Sequence, residues 1–170
     1  MGGREFGSVV ADVQKVLVLL LGNFKEPHYR NLLQLSAGFN AHGYHPVLFD
    51  FEKSPSSDFG ETIRLLAGFA AFIVADLTDP RSVLMEVQLI APDLATPIVP
   101  IMRRYQEPVA LFADLLGKYD WVINTVSYDD IDELLSRLTT DIIEVAASKR
   151  AKIDERRAQP AAALIVPKPR

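Results

Sequence analysis

The chain has 170 residues, the length of one ordinary domain, and 49% of them are hydrophobic while 24% are charged. This composition can build a buried core and excludes an intrinsically disordered chain. The 18 Lys and Arg residues against 22 Asp and Glu residues give a net charge of -4, which argues against nonspecific binding to nucleic acid.

Two absences narrow the function classes further. The sequence contains no cysteine, which excludes disulfides, thiolate metal sites and cysteine catalysis. The longest apolar run, 16–21, is much too short to span a membrane, and it lacks the flanks of a signal peptide. We therefore expect a soluble cytoplasmic protein with no membrane partner.

The two ends of the chain differ in composition from its middle. Residues 1–14 are interpreted as a leader or linker, and 15–147 as the folded domain. Residues 148–170 begin with a run that is charged all round, so we interpret them as a solvated helix end followed by a tail or linker.

Apolar runs alternate with amphipathic stretches in the first half of the folded domain. The continuous run 15–21 (KVLVLLL) predicts a strand buried on both faces. Apolar residues at helical spacing predict a helix over 28–42, and 46–51 (PVLFDF) predicts the second strand. The segment 52–58 (EKSPSSD) has the composition of a loop, and a helix is predicted over 61–70.

The same alternation continues through the centre of the chain. A third strand is predicted over 71–77, followed by a helix start in which Asp79 is the N-cap and Pro80 the first helical residue. This helix extends to about residue 91. A fourth strand is predicted over 97–102, and its internal Pro100 indicates a position near the edge of the sheet.

The last elements follow the same order. A short helix is predicted over 108–116 and a fifth strand over 121–125 (WVINT). The final helix begins near Tyr128. Its apolar face comprises Ile131, Leu134, Leu135, Leu138, Ile142 and Val145.

Strands that alternate with helices predict a parallel sheet joined by right-handed crossovers. We predict a flavodoxin-like three-layer sandwich with five parallel strands in the order 2-1-3-4-5. In such sheets ligands bind beyond the carboxyl ends of the strands, at the switch point beside the first and third strands.

The helix after the third strand carries the most informative side chain. At about 100° per residue, Asp79, Ser82 and Glu86 fall within roughly a 60° sector, on the flank of a separate apolar stripe. We expect the Glu86 carboxylate to be partly desolvated and aimed at a bound ligand. A solvated surface Glu is the commoner role of such a residue, and the Asp79-Pro80 pair is also explained by capping alone.

Residues that follow the predicted strands are candidates for contact with a substrate. They are Gly22, Asn23, Phe24, Phe51, Asp76, Thr78, Ser82 and Arg103. His42 and His45 have a spacing that is more typical of surface histidines than of a metal site, so no metal is expected. The sequence has no Walker loop, GxGxxG or GxSxG motif, and the acid pair that a response-regulator receiver requires after its first strand is replaced by Gly22-Asn23.

Two segments, 72–90 (FIVADLTDPRSVLMEVQLI) and 47–63 (VLFDFEKSPSSDFGETI), resemble divergent bacterial domains of the Toll/interleukin-receptor (TIR) class. The resemblance implies that Glu86 is the catalytic carboxylate, one turn after the small polar Ser82. It also implies cleavage of the nicotinamide–ribose bond of NAD, with cyclisation in some members. NAD is then the substrate, and no cofactor is implied. Self-association, a sensor partner and a role in anti-phage defence belong to the same resemblance.

The segment DLTDP, followed by Glu86, is also similar to nucleoside deoxyribosyltransferases, in which a Glu acts as nucleophile at a sugar C1. Both families pass through an oxocarbenium-like transition state, which a carboxylate stabilises or captures. A non-catalytic TIR-like assembly module is the third alternative. For the NAD-cleaving alternative, we expect the loop 52–58 to close only when a second copy docks, with Phe24 and Phe51 stacking on adenine or nicotinamide.

Overall fold

The computed structural model describes residues 5–50, 59–80, 83–106 and 110–158. The strands are β1 (Leu17–Leu21), β2 (His45–Leu48), β3 (Phe72–Asp76), β4 (Ile98–Arg103) and β5 (Val126–Tyr128). The helices are α1 (Phe6–Val16), α2 (His28–Ala41), α3 (Phe59–Phe69), α4 (Val83–Ile90), α5 (Ala110–Lys118), α6 (Ile131–Ser136) and α7 (Glu144–Ala158). A π-helical segment, Leu138–Ile143, lies between α6 and α7.

The five strands form one sheet in the order β2-β1-β3-β4-β5, and every pairing is parallel. This is the flavodoxin-like α/β arrangement, so the predicted strand order is confirmed. β1 and β3 lie inside the sheet and are buried along almost their whole length, which explains their continuous apolar sequences. Separate apolar clusters cover the two faces, one packed against α3, α4 and α5, the other against α2 and α6.

The fifth strand lies later in the chain than predicted, at 126–128 instead of 121–125. Val122 forms only an isolated bridge to Ile98, whose N–H donates to the Trp121 carbonyl. Pro100, two residues further along β4, presents the same side toward β5 but has no N–H to donate. The ladder is therefore interrupted there and resumes where Val126 pairs with Ile101. As predicted, Pro100 lies near the sheet edge, on the strand next to the edge strand β5.

Helix α1 covers most of the segment 1–14 that was interpreted as a leader or linker and extends to Val16, so β1 begins at Leu17 instead of residue 15. None of the residues of α1 is fully buried. Val10, Val13 and Val16 are half-buried, and the Gln14 side chain donates to the Gly68 carbonyl. Three apolar residues at helical spacing are the sequence signal that could have predicted this helix.

The C-terminal helical region differs from the predicted apolar face at one residue. Ile131, Leu134, Leu138 and Ile142 are buried as expected, but Val145 is exposed and the next buried residue is Ala146. The reason is the π-helical segment, whose wider turn shifts the phase of all later residues.

The charged run after residue 147 continues the helix to Ala158 and packs against the sheet. Ile153 is buried, and the Arg150 guanidinium donates to the carbonyl oxygens of Ala70 and Ala71. The tail 159–170 lies outside the described residues. None of the described helices is both long enough and apolar enough to cross a membrane.

Candidate functional site

The carboxyl ends of the strands bring several polar residues to one edge of the sheet. Asn23 follows β1 and Asp50 follows β2, while Asp76 ends β3, Arg103 ends β4 and Tyr128 ends β5. Strand order reverses between β1 and β3, so this edge contains the switch point at which open α/β sheets bind ligands.

Glu86 lies on α4 beside this edge and is 1% exposed. Glu86 was predicted to be partly desolvated. In the structure it is almost fully buried, and it is not a surface residue. Its Oε2 atom has no hydrogen-bond partner within the described ranges. Burial, as the larger cause, and the negative charge of Asp50 together raise the pKa of Glu86 to about 7. A buried acid without a partner destabilises a fold, so such groups mark candidate functional sites.

Asp50 is the acidic neighbour of Glu86, and sequence reasoning did not single it out. It comes directly after the buried Phe49 and is itself half-buried. Its charge acts on Glu86 although the two residues are distant in sequence. The available signal was an Asp at the end of an apolar strand pattern, in PVLFDF. Two neighbouring carboxyl groups with different environments are typical of sites that act at a sugar carbon.

Asp76 and Thr78, both predicted site residues, belong to a buried hydrogen-bonded network. The Asp76 carboxylate accepts from the Thr78 N–H at 2.9 Å, and the Thr78 hydroxyl lies 3.3 Å from the Tyr128 hydroxyl. Burial raises the pKa of Asp76, while hydrogen bonds from Thr78 and the positive charges of His28 and Arg103 oppose that rise. Burial also raises the pKa of Tyr128.

His28 and Tyr128 are therefore two further members of this edge that sequence reasoning missed. His28 is the first residue of α2 and Tyr128 the last residue of β5, and Tyr128 is fully buried. Only the fold brings them to Asp76. Neither carries a local sequence signal beyond its place at the end of an element.

Asn23 connects the loop after β1 to the turn after β3. Its Nδ2 donates to Asp79 Oδ2 at 2.7 Å, and its Oδ1 accepts from the Lys25 N–H at 2.8 Å. Asp79 and Pro80 were predicted as the helix cap and the first helical residue, but the described helix α4 begins at Val83, and Leu84 N donates to Pro80 O. Residues 81–82 lie outside the described residues. Asn23 thus fixes the relative position of the two loops that border the switch point.

Gly22 and Phe24 flank Asn23 and have different surroundings. A Cβ atom on Gly22 would lie 2.8 Å from the Leu32 side chain, so the glycine permits close packing of α2. Phe24 is half-buried, with its ring 5.5 Å from the Tyr29 ring. Arg103 is exposed at the same edge. Two other predicted site residues, Phe51 and Ser82, lie outside the described residues.

Metal ligation has no candidate cluster in the part of the chain that the structure describes. No three His, Asp or Glu side chains there form a group that could hold a metal ion. Arg104, which follows Arg103, is ion-paired with Asp129 at 2.8 Å and with Glu133 at 3.2 Å.

The fold and this site define a flavodoxin-like α/β protein with a buried acid at the topological switch point. No family model matches the chain, and no curated protein matches it either. The chain is similar to the solved structure of the CMP N-glycosidase BcmB of Clostridium botulinum, with a TM-score of 0.56 and 12% identity over 72% of this chain and 97% of that one.

A second solved structure with a similar fold is the diflavin flavoprotein A3 of Nostoc sp. Its TM-score is 0.53 and its identity 11%, over 81% of this chain and 96% of that one. At these identities the likeness shows the fold. The resemblances to TIR domains and to nucleoside deoxyribosyltransferases therefore stay predictions.

Proposed function

We propose that this protein cleaves the N-glycosidic bond of a nucleotide, with Glu86 as the carboxylate that acts at the sugar C1. The observation that carries the proposal is the burial of Glu86 next to Asp50 at the switch point of the sheet, with its Oε2 atom lacking a hydrogen-bond partner among the described residues. The likeness in fold to a CMP N-glycosidase supports the same class of reaction.

The chemistry needs few groups. The bond between C1 and the base nitrogen breaks, and the base leaves with the electron pair. Positive charge then develops on C1 and the ring oxygen, where the ionised Glu86 stabilises it or forms an ester with C1. Water adds to C1 in the last step and gives up one proton, to solvent with NAD or to the departing base with CMP, so that the products are ADP-ribose or ribose 5-phosphate. Asp50, which already acts on Glu86 electrostatically, adds a second negative charge beside the same cationic centre.

The substrate that we propose is NAD, as the TIR resemblance implies, with self-association as the activating step. The CMP named for the structural neighbour is the second nucleotide to test. Both molecules carry a ribose 5′-phosphate. His28 and Arg103, whose positive charges act on Asp76 at this edge, and the nearby Lys25 supply the cations that would face such a phosphate.

The test is to measure the base released from NAD, CMP and other nucleoside monophosphates by liquid chromatography, at low and at high protein concentration. We expect one class of nucleotide to lose its base, and Glu86→Gln to abolish the release. Glu61→Gln, at an exposed position in the first turn of α3, is the matched control and should retain full activity.

Two results would contradict the proposal. One is that the folded wild-type protein at high concentration releases no base from any nucleotide, which would favour the assembly-module alternative. The other is that Glu86→Gln releases base as fast as the wild type. Full activity per molecule in a dilute monomer would contradict only the part that concerns self-association.

A further inference from the structure

A groove of about 510 Å³ lies at the opposite end of the sheet from Glu86. It opens between α1 and α7, beside the amino ends of β2 and β3. Phe72, which lines this groove, and Asp76, at the edge formed by the carboxyl ends of the strands, are the first and last residues of β3. They are four residues apart, about 13 Å along the strand. The α1–α7 groove is therefore a separate site.

The floor and walls of the α1–α7 groove are apolar. Its floor contains the Tyr44 and Phe72 rings, whose centroids are 5.4 Å apart in an edge-to-face arrangement. Its walls are formed by small side chains, Ala11 on α1 and Ala147 and Ala151 on α7. Because alanine side chains leave the space between the two helices open, a flat group can enter and contact the rings.

The charged groups at this groove are mostly cationic. Lys15, Arg150 and Arg157 line it together with one acid, Asp154, although the whole chain has a net charge of -4. Arg150 is held in place by its hydrogen bonds to the Ala70 and Ala71 carbonyls. The Tyr44 hydroxyl has no hydrogen-bond partner within the described ranges and is available to a ligand.

We propose that the α1–α7 groove binds an aromatic anion, a planar apolar ring system that carries one acidic group. The ring system packs against Tyr44 and between the alanine walls, and the acidic group faces Arg150 and Arg157. Arginine matches the geometry of carboxylate, sulfonate and phosphate oxygens, which explains the preference for an anion over a neutral ligand. This proposal does not depend on the activity proposed for Glu86.

The probe for the test is 2-naphthoate, titrated into ¹⁵N-labelled protein and followed by amide chemical shifts. We expect saturable shifts at residues of the groove, such as Ala71, Ala147 and Ala151. Ala151→Phe fills the groove at an exposed position and should weaken binding about tenfold or more. Ala113→Phe, the same substitution at an exposed position on α5, is the matched control and should bind like the wild type.

The charge preference is tested with a neutral analogue and a rim variant. Naphthalene-2-methanol should bind about five times more weakly than 2-naphthoate, and Arg157→Glu should remove most of that difference. The Glu86→Gln protein should bind 2-naphthoate as the wild type does. The proposal is overturned if no saturable shifts occur at millimolar probe, if Ala151→Phe and Ala113→Phe bind equally well, or if the neutral analogue binds as tightly as the anion.

Discussion

The two ends of the sheet differ in the hydrogen bonding of their buried polar side chains. At the amino end, the buried Thr96 hydroxyl donates to the Ala67 carbonyl at 3.0 Å, and Arg150 donates to the carbonyls of Ala70 and Ala71. At the carboxyl end, Glu86 is as deeply buried as Thr96 but leaves Oε2 without a partner within the described ranges. Thr96 and Arg150 at the amino end thus have hydrogen-bond partners, whereas Glu86 at the carboxyl end leaves one carboxylate oxygen without a partner in the described part of the chain.

This difference supports the proposed chemical role of Glu86. A buried polar group that is hydrogen-bonded to a backbone carbonyl stabilises the fold equally at any pH at which the group itself does not titrate, because the hydrogen bond compensates for its loss of water. An unsatisfied acid costs stability, and the cost is recovered when a cationic or electron-poor ligand occupies the site. The following predictions test this contrast between Glu86 and the amino end.

The largest expected effect is on activity. Glu86→Gln keeps the shape of the side chain and removes its charge, so base release should fall by about a thousandfold or more, because the group at C1 can no longer stabilise positive charge or form an ester. Single-turnover release of the base measures this. The far-ultraviolet circular dichroism of the variant should match that of the wild type, and an activity loss of less than tenfold would remove Glu86 from the mechanism.

The second effect is on stability. The pKa of Glu86 rises from 4.5 to about 7 on folding, so its favourable contribution is complete below pH 4.5 and is lost as the pH rises through 7. Near pH 8, Glu86→Gln should therefore unfold with a free energy about 3 kcal/mol larger than that of the wild type. The difference should vanish below pH 4.5. Urea denaturation at several pH values measures it, and a difference independent of pH would contradict the assigned pKa.

The amino end should show the opposite behaviour. Thr96→Val removes the hydroxyl that donates a hydrogen bond to the Ala67 carbonyl. The free energy of unfolding should fall by about 1–2 kcal/mol, by the same amount at pH 5 and at pH 8. Thr96→Ser, which keeps the hydroxyl, is the control for the loss of the hydrogen bond itself. If the loss of unfolding free energy in Thr96→Val depended on pH, the contrast between Thr96 and Glu86 would be wrong.

The smallest effect is a shift in the pH profile. If Glu86 acts as a carboxylate, kcat/KM should rise with pH through about 7, the pKa of the free enzyme. Asp50→Asn removes the negative charge that raises this pKa, so the midpoint should move to lower pH. Burial is the larger cause of the raised pKa, and therefore the midpoint should stay above 4.5. A profile that falls with pH through 7 would indicate that Glu86 acts as an acid instead.

Most strands and helices could be predicted from the sequence because each carries its own pattern. β1 and β3 are buried on both faces and therefore consist of continuous apolar residues. A fifth strand was predicted, but its position could not be, because its pairing depends on where Pro100 interrupts the neighbouring strand. The exposure of Val145 depends likewise on a π-helical turn that the apolar spacing does not show.

For the site, the sequence by itself determined which edge of the sheet to examine and which helix carries the acid, since both follow from the alternation of elements and the helical period of α4. Only the tertiary structure decided that Glu86 is buried, that its Oε2 atom has no partner among the residues described, and that Asp50 acts on it. It also brought His28 and Tyr128 to Asp76. The physical reason is that desolvation and charge interactions depend on distances between residues that are far apart along the chain, which local patterns of apolar residues do not encode.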